Sequence, residues 1–407
     1  MKKTITFILL FLLICSGSSY NVYAKETPPS VSADSAVVLD AATGEILYAK
    51  NPDSAYPPAS TTKIMTALLT LENTNLDDKV VIGNNPPAVE GTRLGLFPGE
   101  ELTVRDLLYG LLLASDNDCA EALAEHISGS LHKFAAKMNT RAKELGAKNT
   151  NFINPTGLFN EKHKTSARDL SLIMRELHKN PEYSKIATSI SYTIPPTNKS
   201  SKPRTVWNEN KLVQKQSMYY YSGCQGGKTG YTIQSLHSYT AVATRNGETL
   251  IVALVHDKNK TFFPDSISLF NFGFNNFQLV KLYSKGDLVT TYNKNKLSVP
   301  LIADSNFYYV KEKGDKALPH LSIKNENLSF KLFKVGDVVS SADIYFKGKN
   351  IGKLNLSSGI SHDEKQILNS DIIENIIIRN KYAIPVVIAL LVVIAIFTVK
   401  KIYTLSK

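Results

Sequence analysis

Ser60 and Lys63 are residues of the types used in serine-based acyl transfer, and they stand three positions apart. They immediately precede a stretch whose apolar residues recur with helical periodicity, so both are expected on one face near a helix N-terminus. The dipole and unpaired N–H groups of that terminus favour developing negative charge. A serine hydroxyl beside a neutral amine forms a nucleophile and base pair, provided that burial or a neighbouring cation lowers the lysine pKa. The same spacing at Ser130 and Lys133 is better explained by a solvated helix face.

Two further motifs carry groups suited to proton relay and anion binding. Ser115-Asp116-Asn117 follows a leucine-rich helical stretch at the point where that helix should end. A loop there can project a hydroxyl and an amide into a cleft, although the tripeptide taken alone favours helix capping. Lys228-Thr229-Gly230 occurs once, and the β-favouring pair Tyr231-Thr232 predicts that it opens a strand. Its lysine and threonine can grip a carboxylate while the glycine admits substrate close to the backbone, with an ordinary turn as the alternative.

Hydrophobic periodicity predicts the elements that position these motifs. Alternating residues between Ser35 and Ala49 indicate a β-hairpin. A second hairpin is predicted where Asn246-Gly247 separates two apolar strands. Outer strands that enclose a run of helices predict an α+β fold with an antiparallel sheet packed against a helical region. The helical stretches, in which apolar residues recur at i, i+3, i+4 and i+7, are Ile64–Leu71, Leu107–Leu112 and Phe134–Leu145.

The sequence changes character near residue 277. Residues 25–276 form the predicted catalytic domain, and residues 277–366 predict a small all-β domain without a titratable cluster of a catalytic type. The strands of this second domain are predicted at Leu279–Val289, Leu328–Val335, Ile344–Phe346 and Ile351–Leu356.

The N-terminal end of the chain predicts export. Residues 1–24 contain two early lysines, an apolar segment from Ile5 to Ile14 and a small residue at Ala24, as a cleaved signal peptide requires. An uncleaved anchor is the less favoured alternative. Lipidation at Cys15 is also less favoured, because the bulky Ile14 precedes it.

The C-terminal end predicts attachment to the cell membrane. The 17 apolar residues of Ala383–Val399 reach the short end of bilayer thickness and show no polar face, which predicts a transmembrane helix. An amphipathic stalk is predicted over residues 367–382. Lysines in the tail of residues 400–407 place that tail in the cytoplasm, so the folded domains are expected outside the cell.

Composition excludes several classes of protein. The chain has 407 residues, of which 43% are apolar and 20% charged, as in folded globular domains. The net charge of +11 derives partly from lysines at the two ends, and no dense basic block indicates nucleic-acid binding. Cys119 and Cys224 lack the spacing of a zinc site. Both lie near a motif, so a disulfide is allowed outside the cell, but small buried side chains are favoured.

In the order Ser60–Lys63, Ser115–Asn117 and Lys228–Gly230, the motifs resemble the S-x-x-K, S-x-N and K-T-G signature of the serine penicillin-recognising enzymes. Their surroundings are similar to the low-molecular-mass penicillin-binding proteins, which are S11-like serine-type D-alanyl-D-alanine carboxypeptidases. The resemblance covers residues 35–276 and implies the β-lactamase and transpeptidase-like fold. The following β domain and anchor match that family's layout less specifically. The similar stretches are 57–66, 114–118, 154–158, 163–169 and 226–232.

The resemblance implies a role for each motif. Ser60 would attack the bond between the last two D-alanines of a peptidoglycan stem pentapeptide, and Lys63 would take its proton. Ser115 would relay a proton to the leaving D-alanine under the electrostatic influence of Lys228. Lys228 and Thr229 would bind the terminal carboxylate of the substrate.

The remaining roles implied by the resemblance concern binding. Asn117 would bind the peptide amide of the substrate, and the backbone N–H groups of Ser60 and Tyr231 would form the oxyanion hole. Gly230 would let the substrate approach the strand. No metal or other cofactor is expected, β-lactams should inhibit by acylating Ser60, and His163 is expected to be structural or to shape the cleft.

One departure from the family pattern weakens the expected carboxylate recognition. Phe262 stands where the family often has a carboxylate-binding arginine, and nearby Lys260 does not reproduce a bidentate contact. Gln234-Ser235-Leu236 replaces the Ala-Gly that commonly follows K-T-G. A β-lactam-binding receptor or a degenerate enzyme therefore stays an alternative, although a receptor needs more than the eight residues after Val399 for its output. A class A-like β-lactamase is less consistent, because no Glu-x-x-Leu-Asn pattern lies between the second and third motifs.

Overall fold

The computed structural model describes residues 27–324 and 326–363. The predicted signal peptide (1–24), and the stalk, transmembrane helix and tail (together 367–407), lie outside the described residues. Among the helices that the structure describes, none is both long enough and apolar enough to cross a bilayer. The chain divides into two compact units.

The first unit comprises the described residues up to Leu279, together with Val310–Asp315. Its strands are β1 (Ala33–Asp40), β2 (Ile46–Lys50), β3 (Lys79–Val81), β4 (Glu101–Thr103), β5 (Ser191–Ile194), β6 (Arg204–Trp207), β7 (Cys224–Thr232), β8 (Leu236–Arg245) and β9 (Glu248–Asp257). Its α-helices are α1 (Lys63–Asn73), α2 (Val104–Tyr109), α3 (Asn117–Ser128), α4 (Leu131–Glu144), α5 (Ala167–His178), α6 (Pro181–Ala187) and α7 (Phe262–Asn276).

A five-stranded antiparallel sheet in the order β2-β1-β9-β8-β7 separates two cores in this unit. Successive residues of a strand face opposite sides. In β1, Val37 and Leu39 therefore pack with helices α1 to α6, whereas Val38 packs with Phe270 of α7. The expected antiparallel sheet against a helical region is confirmed, as are both hairpins and the three predicted helices, which correspond to α1, α2 and α4. Helix α7 covers the second face of the sheet.

The K-T-G motif lies inside β7, so the prediction that it opens a strand is wrong. The strand begins at Cys224, and Lys228 pairs with Thr240 of β8. Glycine ordinarily weakens a strand interior, but it is retained where another part of the chain approaches closely. A side chain at Gly226 would lie 2.7 Å from Cβ of Ala187 in α6. Packing against α6 therefore keeps glycine in this strand.

The second unit comprises Val280–Tyr309 and the described residues from Lys316 onward. Five strands form an antiparallel sheet in the order β11-β12-β16-β15-β14, around a core that includes Leu301 and Leu356. The prediction of a C-terminal all-β domain is confirmed. The strands after α7 are β10 (Phe277–Tyr283), β11 (Leu288–Lys294), β12 (Leu297–Ala303), β13 (Phe307–Glu312), β14 (His320–Ile323), β15 (Val338–Phe346) and β16 (Lys349–Ser358).

The strand predicted at Leu328–Val335 is wrong. This segment forms a 3₁₀ turn at Leu328–Phe330, and only Phe333 makes a β-bridge, with His362. Apolar residue types favour a strand only when a neighbouring strand and a core face are present. Phe333 packs into the core of the unit, whereas Leu332 beside it is exposed.

Candidate active site

Ser60 lies in the 3₁₀ turn Ala59–Thr62, directly before α1. The turn is held at its start by Thr61, whose hydroxyl donates to the carbonyl oxygen of Pro58 at 2.8 Å. Ala59 adopts a left-handed φ of 50°, a conformation that is uncommon for a residue with a side chain. The hydroxyl of Ser60 is consequently placed beside the first residue of the helix, as the sequence predicts.

Lys63 is completely buried and points its Nζ atom at three oxygens. The distances are 3.0 Å to Oγ of Ser60, 2.7 Å to Oδ1 of Asn117 and 2.8 Å to the carbonyl oxygen of Thr156. Burial, reinforced by the positive charge of Lys228, holds the pKa of Lys63 well below its ordinary value. A neutral amine has two N–H donors and one lone pair. If Lys63 is neutral and donates to the amide and carbonyl oxygens, its lone pair is directed at Oγ of Ser60.

The S-x-N motif follows the π-helical segment Gly110–Ala114, which continues α2. Ser115 then takes a left-handed φ of 66° and turns the chain into α3. The capping alternative is not what the structure shows, because the side chain of Asp116 makes no capping bond. Asn117 instead accepts from Lys63 and donates through Nδ2 to the carbonyl oxygen of Glu90 at 2.6 Å.

Asp116 is a charged residue of the site that the sequence did not single out. Its carboxylate is buried, and its Oδ2 atom has no hydrogen-bond partner within residues 27–324 and 326–363. Burial, followed by the charge of Asp118, raises the pKa of Asp116 to about 7. The charge of Asp116 in turn acts to raise the pKa of Lys63, against the larger effect of burial.

Lys228 is the second buried lysine of the site. Its Nζ atom donates to the backbone oxygen of Thr229 at 3.0 Å and lies 4.0 Å from a carboxylate oxygen of Glu209. Burial lowers the pKa of Lys228, and Glu209 opposes that effect. Glu209 also accepts a hydrogen bond from the hydroxyl of Thr229 at 3.0 Å. No motif pointed to Glu209, and only its tertiary contacts make it part of the site.

Gly230 lets β7 lie against the turn that carries Ser60. A side chain added at this glycine would lie 2.9 Å from the backbone nitrogens of Ser60 and Thr61 and from the oxygen of Pro58. Backbone atoms cannot move aside as a flexible side chain does. The absence of a side chain at position 230 is therefore a condition for strand and turn to lie side by side.

A cleft of about 810 Å³ opens over these residues. Among the predicted residues, it is lined by Ser60, Ser115, Thr229, Gly230 and Tyr231. The three remaining predicted residues each hydrogen-bond a lining residue: Lys63 contacts Ser60, Lys228 contacts Thr229, and the N–H of Asn117 donates to the carbonyl oxygen of Thr92. The other lining residues are Thr92, Glu209, Lys211, Tyr219, His237, Lys260, Phe262, Phe263 and Pro264.

Aromatic rings form one part of the cleft wall. The ring of His237 stacks on Tyr231 with centroids 4.4 Å apart and lies 5.7 Å from the ring of Phe262. Phe262, which stands where an arginine was expected, thus contributes an apolar ring to the wall. Lys260 also lines the cleft.

His163 contacts the turn Ala59–Thr62 that carries Ser60. Its Nδ1 accepts from the backbone N–H of Ile153 at 3.2 Å, which assigns the donor role to Nε2. Nε2 lies 2.9 Å from the hydroxyl oxygen of Thr62, the last residue of the turn. Burial lowers the pKa of His163 to about 4, so the ring is neutral at neutral pH.

The other residues that the sequence suggested as candidates, Ser130, Cys119 and Cys224, lie in a helix cap or in the packed cores. The side chain of Ser130 accepts from the N–H of Lys133 as the N-cap of α4, which agrees with the helix-face interpretation. Both Cys119 and Cys224 are free thiols and pack in different cores. Within the described residues, no group of three or more His, Cys, Asp or Glu side chains is placed to hold a metal ion.

Comparison with known proteins matches both units to families. A family model described as D-alanyl-D-alanine carboxypeptidase (Peptidase_S11) matches residues 22–259, and a model described as the C-terminal domain of penicillin-binding protein 5 matches residues 277–364. The D-alanyl-D-alanine carboxypeptidase DacF of Bacillus subtilis is 35% identical over 303 residues, which cover 71% of this chain and 75% of the relative. The carboxypeptidase DacB2 of Mycobacterium tuberculosis is 34% identical over 60% of this chain and 84% of its own length.

Solved structures show the same relationship. Penicillin-binding protein 5 from Haemophilus influenzae superposes with a TM-score of 0.70 at 30% identity, covering 83% of this chain and 99% of its own. The Streptomyces K15 DD-transpeptidase superposes with a TM-score of 0.56 at 32% identity, covering 61% of this chain and 99% of its own.

Proposed function

The chain belongs to the D-alanyl-D-alanine carboxypeptidase family of serine peptidases, and we propose that Ser60 is its nucleophile and Lys63 its general base. The protein is a penicillin-binding D-alanyl-D-alanine carboxypeptidase with the fold of that family. The observation that carries the residue assignment is the position of the Lys63 nitrogen, 3.0 Å from the hydroxyl oxygen of Ser60.

In the acylation step, neutral Lys63 takes the hydroxyl proton of Ser60 as the serine oxygen attacks the carbonyl carbon of the penultimate D-alanine. The backbone N–H groups of Ser60 and Tyr231 stabilise the resulting oxyanion, supported by the positive end of α1. The peptide C–N bond then breaks, and Ser115 relays a proton from Lys63 to the leaving nitrogen. An ester on Ser60 and a free D-alanine result, and water hydrolyses the ester.

Substrate is held by groups on both sides of the nucleophile. The amide nitrogen of Asn117 carries two N–H groups. One of them bonds Glu90, and the other donates to the substrate peptide. The hydroxyl of Thr229 and the positive charge of Lys228 face the terminal carboxylate, and Gly230 admits the substrate to the edge of β7. The substrate is the peptidoglycan stem pentapeptide, and β-lactams acylate Ser60 in its place.

The enzyme works at the outer face of the cell membrane. Signal cleavage after Ala24 and a single transmembrane helix at Ala383–Val399 leave both folded units outside the cell. The supporting observations are the charge and hydropathy patterns of the two ends of the sequence. N-terminal sequencing of the protein from membranes should begin at Lys25, and truncation before Ala383 should move it to the soluble fraction.

Mass spectrometry of a muropeptide digest tests the activity. The full-length protein in detergent, incubated with a pentapeptide muropeptide, should remove the mass of one alanine residue, and Ser60→Ala should remove none. Cleavage of a cross-linked dimer would instead indicate endopeptidase activity. Intact β-lactam labelling without release of D-alanine would indicate the receptor or degenerate-enzyme alternative.

A further inference from the structure

Glu209 places a negative charge where the substrate carboxylate is expected to bind. One of its oxygens accepts from the hydroxyl of Thr229 at 3.0 Å and lies 4.0 Å from Nζ of Lys228. It is the only carboxylate among the described residues that line the cleft. Its side chain is 48% exposed, so the charge faces the space that a ligand enters.

The backbone around Glu209 is fixed by buried asparagines on both sides. Asn208 donates through Nδ2 to the carbonyl oxygen of Ala187 at 2.9 Å, and Asn210 accepts from the hydroxyl of Tyr239 at 2.6 Å. The N–H of Glu209 itself donates to the carbonyl oxygen of Leu113 at 3.0 Å. These contacts hold the backbone of Glu209 at the cleft.

The hydrogen-bond donor of Thr229 and the acceptors of Glu209 determine which leaving group binds beside them. A free carboxylate has only acceptors, so beside Glu209 it meets a like charge and competes for the hydroxyl of Thr229. A carboxamide or a peptide-linked carboxyl carries no charge and has an N–H donor for Glu209. Its carbonyl oxygen can at the same time accept from Thr229. The second kind of leaving group therefore satisfies both side chains.

We propose that Glu209 is a specificity-determining residue that lowers the affinity for a free α-carboxylate relative to an uncharged, amidated or peptide-linked α-carboxyl, while the free acid remains the substrate. This inference rests on the proposed function, because it concerns the leaving group released from Ser60. Its effect is on binding and acylation of anionic substrates, and the nucleophile and base are unchanged. Lys211 and Lys260, which also line the cleft, attract the anion and oppose this preference.

The test compares two peptides that are identical except for a terminal D-Ala-D-Ala free acid or D-Ala-D-Ala carboxamide. Both are assayed with the full-length wild type and with Glu209→Gln, which keeps an acceptor for Thr229 and removes the charge. Glu209→Gln should raise kcat/KM for the acid peptide about tenfold, mainly through a lower KM, which corresponds to about 1.4 kcal/mol. The value for the carboxamide peptide should not rise, because the variant loses the carboxylate oxygen that accepts from the carboxamide N–H. Added salt should narrow the difference between wild type and variant for the acid peptide.

A matched control is Glu144→Gln at the C-terminal end of α4, where the carboxylate pairs with Arg141 away from the residues lining the cleft. This control variant should leave unchanged the ratio of the kcat/KM values for the acid and carboxamide peptides. If Glu209→Gln also leaves that ratio unchanged while both peptides and a labelled penicillin acylate the enzyme, the inference about Glu209 is wrong. If neither peptide nor the penicillin acylates the wild type, the proposed function fails and the inference fails with it.

Discussion

The Nζ atom of Lys63 lies 3.0 Å from Oγ of Ser60, and two fixed acceptors, from Asn117 and Thr156, determine the direction of its remaining bonds. An amine that donates to both acceptors presents its lone pair to the serine. If Lys63 is the general base, as proposed, these contacts orient it before substrate arrives, which favours efficient proton transfer.

Ser60→Ala should abolish covalent labelling by a fluorescent penicillin, because no other hydroxyl of the site has a buried lysine nitrogen within hydrogen-bond distance among the described residues. The measurement is gel fluorescence of the full-length protein after incubation with the probe. Ser130→Ala is the matched control, since Ser130 shares the S-x-x-K spacing but caps α4. It should keep full labelling and lose only about 1 kcal/mol of stability. Labelling of Ser60→Ala would assign the nucleophile elsewhere.

Lys228→Gln should move the acidic limb of the acylation profile to higher pH. The positive charge of Lys228 disfavours protonated Lys63 and lowers its pKa, so removal of that charge lets the pKa rise. Because the base must be neutral, the rate should then fall at a higher pH than in the wild type. The second-order rate constant for penicillin acylation, measured against pH, reports the shift. Thr229→Ser, a change in the neighbouring residue without loss of charge, should leave the limb in place; an equal shift in both variants would contradict the electrostatic explanation.

His163 should make the protein less stable in mild acid. Its pKa is about 4 in the folded protein and about 6.5 in the unfolded chain, so the unfolded state binds the proton more tightly. The stability is present above the unfolded pKa and is lost as pH falls toward the folded one. The loss from this residue should be about 2 kcal/mol between about pH 7 and about pH 5. Urea unfolding of His163→Gln should show a smaller difference between these two conditions than the wild type, whereas exposed His126→Gln should match the wild type.

Gly230→Ala should slow penicillin acylation by about a hundredfold or more, because the new methyl group displaces the backbone that carries Ser60. The overpacking should also cost about 1–3 kcal/mol of stability. Gly129→Ala is an informative contrast. Gly129 has a positive φ of 72° and open space around it, so strain alone should cost about 1 kcal/mol and leave the acylation rate unchanged. Equal acylation rates for Gly230→Ala and the wild type would show that strand and turn tolerate separation.

The spacing of residues in the sequence predicted those parts of the site that lie within one short segment of the chain. Ser60 and Lys63 belong to one turn and the helix after it, so their spacing was sufficient to place them together. The sequence did not predict the contacts of Thr156 and Glu209. Thr156 contributes a backbone oxygen, which has no sequence signature. Glu209 stands between two asparagines, a pattern typical of an ordinary loop. Their roles arise from chain segments that meet only in the folded state.

The same reason explains the errors in secondary structure. The interior position of K-T-G in β7 depends on packing of Gly226 against α6, which no window of sequence contains. The false strand at Leu328–Val335 has suitable residue types but only one bridge to another segment. Contacts between distant segments, and not local preference, determined the structure in both cases.

Lys63 hydrogen-bonds Asn117, which is 54 positions later in the chain, and Thr156, which is 93 positions later. Partial folding of any one segment leaves this junction incomplete. Covalent capture of a fluorescent penicillin therefore counts only molecules whose first unit is fully assembled. The fluorescence of the labelled band on a denaturing gel therefore measures the amount of natively folded protein. The same labelling can follow folding during expression, refolding or heating.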